Sequence, residues 1–204
     1  SNTEKHISLY PCVNLSLEGY DRVCGYRSWV HALKLDDRLI YASNPDIGAP
    51  HKWYKAFMCS SYNVKGYETS RKAFLGEYGS FVNPDAIRNG MSNSDAASEG
   101  ILFALEHGIT LAPNGNLSIN IAIGICDSRE RALEFSKEIV NTDFVKSQFE
   151  QLIQQNNDVK DKFVINTPDK KINDYVNYWL KKQILLCSEV GRGKGKGFRD
   201  QLQD

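Results

Sequence analysis

The first part of the chain alternates apolar and polar side chains with a period of two. In the clearest run, over 117–125, small or polar residues separate five apolar ones: Leu117, Ile119, Ile121, Ile123 and Ile125. Because successive side chains of a strand point to opposite faces, this pattern predicts a half-buried strand with one apolar face. Similar alternation predicts strands over 103–111, 29–35 and 13–17, and the aromatic segment 53–67 is also β-prone.

Turn-forming residues separate these runs. The segment Pro113-Asn114-Gly115-Asn116 lies between the runs 103–111 and 117–125 and predicts that they form a hairpin. Several short strands divided by Asn, Asp, Pro and Gly clusters are typical of an antiparallel β-sandwich. We therefore assign residues 1–126 to a β-sandwich domain.

One interval, 69–98, breaks the alternation. It contains Phe74-Leu75-Gly76, Asn83-Pro84-Asp85 and Gly90-Met91-Ser92-Asn93-Ser94, with no clear periodicity. A stretch of this length without a periodic pattern inside a compact domain indicates a functional or interface loop.

After residue 126 the apolar spacing becomes helical. Asp127 and Glu130 have the spacing of a capping box, which predicts Asp127 as the N-cap of a first helix. A second amphipathic stretch follows from Val145, with a predicted break at Asn156-Asn157. A third helix is predicted to begin at Thr167-Pro168. Its apolar stripe comprises Ile172, Tyr175, Val176, Trp179 and Ile184. Residues 127–190 are thus predicted to form a helical linker ahead of a glycine-rich turn.

Composition limits the class of partner. The 204 residues carry 25 basic and 25 acidic side chains, and this zero net charge argues against duplex nucleic acid or an anionic membrane as a partner. No apolar run approaches the roughly 20 residues of a membrane helix, and no signal peptide opens the chain. We therefore expect a cytoplasmic protein.

Cysteine and histidine spacing gives no indication of a metal site. The four histidines are dispersed, and no C-x-x-C pair occurs among the five cysteines: Cys12, Cys24, Cys59, Cys126 and Cys187. Reduced thiols that fill core space are the expected state. Glu106-His107 has the composition of a catalytic dyad, but neighbouring residues of a strand face opposite sides and cannot act together.

The last residues carry the most specific candidate chemistry. Four side chains there combine the forked donor of a guanidinium with carboxylate and amide groups, which can hydrogen-bond to sugar hydroxyls: Arg199, Asp200, Gln203 and Asp204. Helical spacing would place Asp200 and Asp204 on one face. The residues alone equally allow a helix start with Asp200 in the first turn and Arg199 in a salt bridge. The preceding glycines, 191–197, fit neither a P-loop nor a dinucleotide-binding motif.

These residues resemble glycoside hydrolase family 94. The most specific match is Gly197-Phe198-Arg199-Asp200-Gln201-Leu202-Gln203-Asp204. Further stretches within 25–204 agree in order: 67–76, 83–84, 91–93, 109–111, 121–124, 127–130 and 177–183. This family contains inverting disaccharide and oligosaccharide phosphorylases and the phosphorylase-like part of cyclic β-1,2-glucan synthases. The sequence of this motif is most similar to that of the β-1,2-glucan-active members of the family.

The resemblance implies a mainly β fold with helices: a supersandwich, a helical linker, and at 191–204 the first residues of an (α/α)6 barrel. It implies that Arg199 and Asp204 hold a glucosyl unit, with Asp200 and Gln203 in support. No catalytic residue is then expected within the chain, because the family's general acid would lie beyond Asp204. The expected substrates are a β-glucan oligosaccharide and inorganic phosphate, without metal or cofactor.

On this interpretation the chain is a fragment of a homodimeric phosphorylase that lacks its barrel and is inactive alone. Two other interpretations stay open: a stand-alone carbohydrate-binding or assembly module, and a scaffold domain with no sugar role. Sugar binding that survives deletion of residues 187–204 would favour the binding module.

Overall fold

The computed structural model describes residues 1–15, 17, 30–44 and 55–190, with side chains up to residue 187. The strands in these ranges are β1 (Lys5–Leu9), β2 (Cys12–Asn14), β3 (His31–Asp36), β4 (Leu39–Ser43), β5 (Lys55–Ser60), β6 (Gly66–Ser70), β7 (Ala96–Ala97), β8 (Ile101–Leu111) and β9 (Ile121–Ile125). The helices are α1 (Arg71–Leu75), α2 (Asp85–Asn89), α3 (Arg129–Glu138), α4 (Thr142–Asp161), α5 (Lys170–Asp174) and α6 (Lys181–Val190), with a π-helical segment (Tyr175–Leu180) between α5 and α6. The chain divides into two units, Ser1–Val145 and Lys146–Asp204.

The first unit contains two antiparallel sheets. In one sheet, β8 pairs with β1, β2 and β6; the other has the order β7-β3-β4-β5-β9. Alternate side chains of the two sheets meet in a buried core that includes Ala32, Ile40, Met58, Phe103 and Leu105. The predicted antiparallel sandwich is therefore confirmed, whereas the predicted barrel residues, 191–204, lie outside the described part of the chain. The predicted domain bounds at 126 and 190 stay predictions.

Strand β8 is buried on both faces, although its alternation predicts a half-buried strand. Phe103 and Leu105 face the other sheet, while Leu102 and Ala104 pack on their opposite side against Phe74 and other residues of the 69–98 interval. This interval is not an irregular loop as predicted: it contains α1, α2 and β7. The Ser70 side chain accepts a hydrogen bond from the Ala73 backbone N–H at 3.1 Å and so caps α1. The interval thereby covers the outer face of the sheet that contains β8.

Helix α3 covers the outer face of the five-stranded sheet. Its Ala132 packs in a second buried cluster with Leu39, Tyr41 and Phe57. The predicted N-cap, Asp127, is wrong by one position: the Ser128 hydroxyl accepts from the Arg131 backbone N–H at 3.1 Å. Both residue types cap helices well, so sequence alone does not decide between neighbours.

The predicted hairpin between 103–111 and 117–125 is wrong. A turn does occur, where the Gly115 N–H donates to the Ala112 carbonyl at 2.9 Å. However, β9 begins only at Ile121 and pairs with β5 in the other sheet. Ile123 and Ile125 are 50% and 65% exposed, because β9 lies at the edge of its sheet. The apolar face predicted from their spacing is therefore only partly buried.

Two predicted features of the later helices are also wrong. Helix α4 continues through Asn156-Asn157, where the Asn156 side-chain amide donates to the Leu152 carbonyl at 2.9 Å. Helix α5 is capped by Asp169 rather than Thr167, because the Asp169 carboxylate accepts from the Lys171 N–H at 2.8 Å. In the described ranges, no helix combines the length and apolar content needed to cross a bilayer.

Two asparagines, Asn173 in α5 and Asn177 in the π-helical segment, form hydrogen bonds with the backbone of the connection that precedes α5. The Asn177 side chain makes two hydrogen bonds of 2.9 Å with the backbone N–H and carbonyl of Ile165. Asn173 does the same for Thr167, at 2.8 and 2.9 Å. Each amide thus satisfies a backbone donor and acceptor as a strand would, which fixes this connection within the second unit.

Candidate functional site

The predicted sugar-contacting residues lie outside the described part of the chain. This holds for Arg199, Asp200, Gln203 and Asp204 alike. Their role therefore stays a prediction. The described residues instead show how the sandwich holds the 69–98 interval in place.

Glu106 and His107 form no dyad, as the sequence predicts. They are neighbours on β8 and have separate partners. The Glu106 carboxylate accepts from Lys65 Nζ at 2.8 Å, whereas His107 Nδ1 lies 2.8 Å from the Asn63 carbonyl. His107 Nε2 is buried and has no hydrogen-bond partner among the described residues.

A buried carboxylate fixes residues 92–94 on the sheet. Glu68, on β6, is fully buried, and its Oε1 accepts from both the N–H and the hydroxyl of Ser92, the hydroxyl at 2.7 Å. Its Oε2 accepts from the Ser94 N–H at 3.2 Å. Three donors from one short segment thus compensate for burial of the carboxylate.

The neighbours of Glu68 on β6 extend this network. The Tyr67 hydroxyl donates to Asp95 at 3.0 Å, and the Tyr67 N–H donates to the side chain of Asn93 at 3.0 Å. The Thr69 hydroxyl accepts from the Ala96 N–H at 2.8 Å. Asn93 has a left-handed backbone with φ 58°, a conformation that asparagine tolerates better than most residues. Residues 92–96 are therefore held against β6 by side chains from three consecutive positions.

We expect Glu68→Gln to lower the free energy of unfolding of the first unit by about 1–3 kcal/mol. The amide keeps one oxygen but places an N–H₂ group opposite the backbone N–H of either Ser92 or Ser94, which leaves that donor without its acceptor. Hydrogen exchange of the Ser92 and Ser94 amides and urea unfolding would measure this. The control is Glu77→Gln, which removes an exposed ion pair with Lys72 and should change stability little. Equal effects of the two variants would contradict the role given to Glu68.

Tyr67 should make the stability depend on pH in the alkaline range. Burial, and after it the hydrogen bond to Asp95, raises the pKa of Tyr67 from 10.0 to about 12. Between these values the unfolded chain ionises while the folded phenol keeps its proton, so stability falls as pH rises. The stability advantage of the wild type over Tyr67→Phe should therefore shrink across this window in urea titrations. An advantage that stays constant with pH would contradict the environment described for Tyr67.

The described ranges gather no three metal-ligating side chains in one place. Free cysteines in these ranges are Cys12, Cys59, Cys126 and Cys187. Burial raises the pKa of the Cys59 thiol to about 12. Because the thiolate is the nucleophilic form, Cys59 is expected to fill core space rather than react.

Comparison with known proteins identifies the sandwich. The sequence profile of the glycosyl hydrolase 94 supersandwich domain matches residues 1–142. The chain is 38% identical over its whole length to solabiose phosphorylase of Paenibacillus borealis, of which it covers 27%. It is 29% identical, over 72% of its length, to 3-O-beta-D-glucopyranosyl-beta-D-glucuronide phosphorylase of the same organism, of which it covers 19%. It is 27% identical, over 90% of its length, to cyclic beta-(1,2)-glucan synthase NdvB of Rhizobium meliloti, of which it covers 7%. The chain thus spans about a quarter or less of the length of these relatives.

Proposed function

We propose that this chain, which belongs to the glycosyl hydrolase 94 family, is the supersandwich and linker portion of a glycoside phosphorylase. The proposed reaction is reversible, inverting phosphorolysis of β-linked glucosides or oligoglucans to α-glucose 1-phosphate. The observation that carries the proposal is the 38% identity to a phosphorylase, which extends over the whole chain rather than over the sandwich alone. The resemblance of the terminal motif supports the same conclusion.

The proposed chemistry follows the inverting glycosidase scheme, with phosphate in place of water. A carboxylic acid protonates the glycosidic oxygen as its bond to the anomeric carbon breaks. A phosphate oxygen attacks that carbon from the opposite face, so the product has the α configuration. No metal or other cofactor is part of this scheme, and the acid is expected beyond Asp204.

Arg199 and Asp204 are proposed to hold the glucosyl unit that is transferred. A guanidinium offers forked donors and a carboxylate offers paired acceptors, so together they can fix neighbouring hydroxyls of one ring. Asp200 and Gln203 are proposed to support these two side chains. Without the acid, the residues up to Asp204 would bind sugar weakly and would not turn it over.

The described part of the chain is proposed to support the barrel and its active site. The network around Glu68 holds residues 92–96 firmly, as a segment that reaches toward an active site requires. Tyr175 and Trp179 in the second unit are 52% and 58% exposed. We propose that this apolar surface packs on the barrel, and that the whole protein is a cytoplasmic homodimer.

The synthetic direction gives a direct test. The whole protein is incubated with α-glucose 1-phosphate and a panel of acceptors: glucose, glucuronic acid, galactose and short β-gluco-oligosaccharides. We expect release of inorganic phosphate that depends on an acceptor, with a β-linked product. Phosphate release that needs no acceptor would indicate hydrolysis. If no acceptor leads to release of inorganic phosphate but the protein still binds these sugars, the result would favour a binding module instead.

A further inference from the structure

A polar hollow opens at the tip of the 69–98 interval, within the first unit. Its volume is about 460 Å³, within the usual range of small-ligand sites. The side chains that line it are those of Glu77, Tyr78, Ser80, Asn83, Asp85 and Arg88. The network around Glu68 does not include any of them.

The walls of the hollow are anchored in the fold. Phe74 and Leu75, at the end of α1, and Ala86, in α2, are buried in the cluster that covers β8. The turn between the two helices therefore has buried residues at both of its ends. Anchored ends reduce the backbone conformational entropy that this turn would lose when a ligand binds.

The backbone of this turn can accommodate only glycine at two of its positions. Gly76 has φ +85°, and a Cβ there would lie 2.9 Å from Cγ of Asp85. A Cβ at Gly79 would lie 1.6 Å from the Leu75 carbonyl oxygen, a distance that no adjustment of side chains can relieve. The turn thus requires glycine at both positions, and its tight path leaves the hollow open beside it.

The chemistry of the hollow suits a sugar ring. Tyr78 is 98% exposed, so its aromatic face is free to stack on the apolar face of a pyranose. Asn83 and Ser80 carry amide and hydroxyl groups on the same turn, and Asp85 forms an ion pair with Arg88. These groups can both donate to and accept from sugar hydroxyls.

Charge and polarity narrow the class of ligand. Two acidic side chains, Glu77 and Asp85, and one basic side chain, Arg88, line the hollow. Glu77 pairs with Lys72 and Asp85 pairs with Arg88, so the charges of the hollow are already balanced, which favours a neutral ligand over a charged one. A larger cavity of about 670 Å³ beside β9 is lined mainly by apolar residues such as Phe57 and Phe135, which offer sugar hydroxyls few partners.

We propose that this hollow binds one neutral pyranose unit of an oligosaccharide, with Tyr78 as the stacking platform. That the oligosaccharide is a β-linked glucan rests on the proposed function, whereas the site rests on its own geometry. The hollow would hold a sugar unit of a chain whose other end is processed elsewhere in the protein.

Sophorose and cellotriose serve as probes for this site. Isothermal titration calorimetry measures their affinity for the protein, and glycine-selective ¹⁵N labelling records the amide shifts of Gly76 and Gly79. We expect at least one of the two sugars to shift these amides, and Tyr78→Ala to weaken its binding about tenfold. Tyr78→Phe keeps the ring and should keep most of the affinity.

Val82→Ala is the matched control. Val82 belongs to the same segment and is 95% exposed, but it does not line the hollow. Equal affinities of Tyr78→Ala and Val82→Ala, or unshifted Gly76 and Gly79 amides with both sugars, would overturn the proposal. Loss of self-association rather than of sugar binding in Tyr78→Ala would also overturn it, since the ring would then dock a second copy.

The failure of this site and the failure of the proposed function give different results. If the whole protein phosphorolyses β-glucans and Tyr78→Ala changes neither affinity nor KM, only the sugar site is overturned. If sugars shift the two glycine amides and no sugar 1-phosphate forms, only the proposed reaction is overturned.

Discussion

Replacing Arg199 with alanine, or Asp204 with asparagine, is expected to lower kcat/KM for phosphorolysis by about 10²- to 10³-fold. Both side chains are proposed to hold the glucosyl unit through the transition state, where its ring flattens and positive charge develops. Loss of either side chain removes the hydrogen bonds that it is proposed to make to sugar hydroxyls in the transition state. The measurement is the initial rate of phosphate-dependent glucose 1-phosphate release by the whole protein.

Lys196→Gln is the control for these two variants. Lys196 lies in the glycine-rich stretch before the motif, for which the sequence predicts no ligand. Its kcat/KM should stay within about twofold of wild type, because the proposed sugar contacts begin at Arg199 and do not include the Lys196 side chain. If Arg199→Ala and Asp204→Asn behaved like this control, the sugar-binding role of the motif would be wrong.

Phe103→Ala is expected to lower the free energy of unfolding of the first unit by about 3–5 kcal/mol. Phe103 is fully buried on β8, where the core between the two sheets is closed on both sides. The substitution removes most of a large apolar side chain, and surrounding strands cannot collapse into the space left behind. Urea unfolding, followed by circular dichroism, gives the change as a shifted midpoint at constant slope.

Leu117→Ala provides the comparison. Leu117 belongs to the alternating run 117–125, but it precedes β9 and is 44% exposed. Its truncation should cost less than about 1 kcal/mol, since an exposed side chain loses little burial. Similar losses for Phe103→Ala and Leu117→Ala would contradict the core described between the sheets.

The strands were predictable because alternation is a local signal, but their burial and pairing were not. Leu102 and Ala104 of β8 are buried on the outer face of their sheet because α1 and α2 cover them. Each of these helices has five residues, too few to produce a periodic pattern. The turn at 112–115 shows that the chain reverses, but not whether it returns to the same sheet or crosses to the other one.

The candidate site was likewise predictable only in part from the sequence. Residues 199–204 are prominent because their chemistry is concentrated in a short motif. The Glu68 network joins residues that are 24 to 28 positions apart, which no local pattern indicates. A usable signal was Glu68 itself, a carboxylate directly after the β-prone segment 53–67, because such a side chain needs donors if it is buried. The hollow at Tyr78 depends on a turn whose shape only the folded chain reveals.

If this chain belongs to an inverting phosphorylase, ¹H NMR of the whole protein with a β-gluco-oligosaccharide and phosphate will distinguish the reaction from hydrolysis and from retention. We expect an α-anomeric sugar 1-phosphate signal that grows only when phosphate is present and matches the loss of the β-linkage signal. Free glucose that forms at the same rate with and without phosphate would show that the reaction is not phosphorolysis, and a β-anomeric phosphate product would show that it is not inverting.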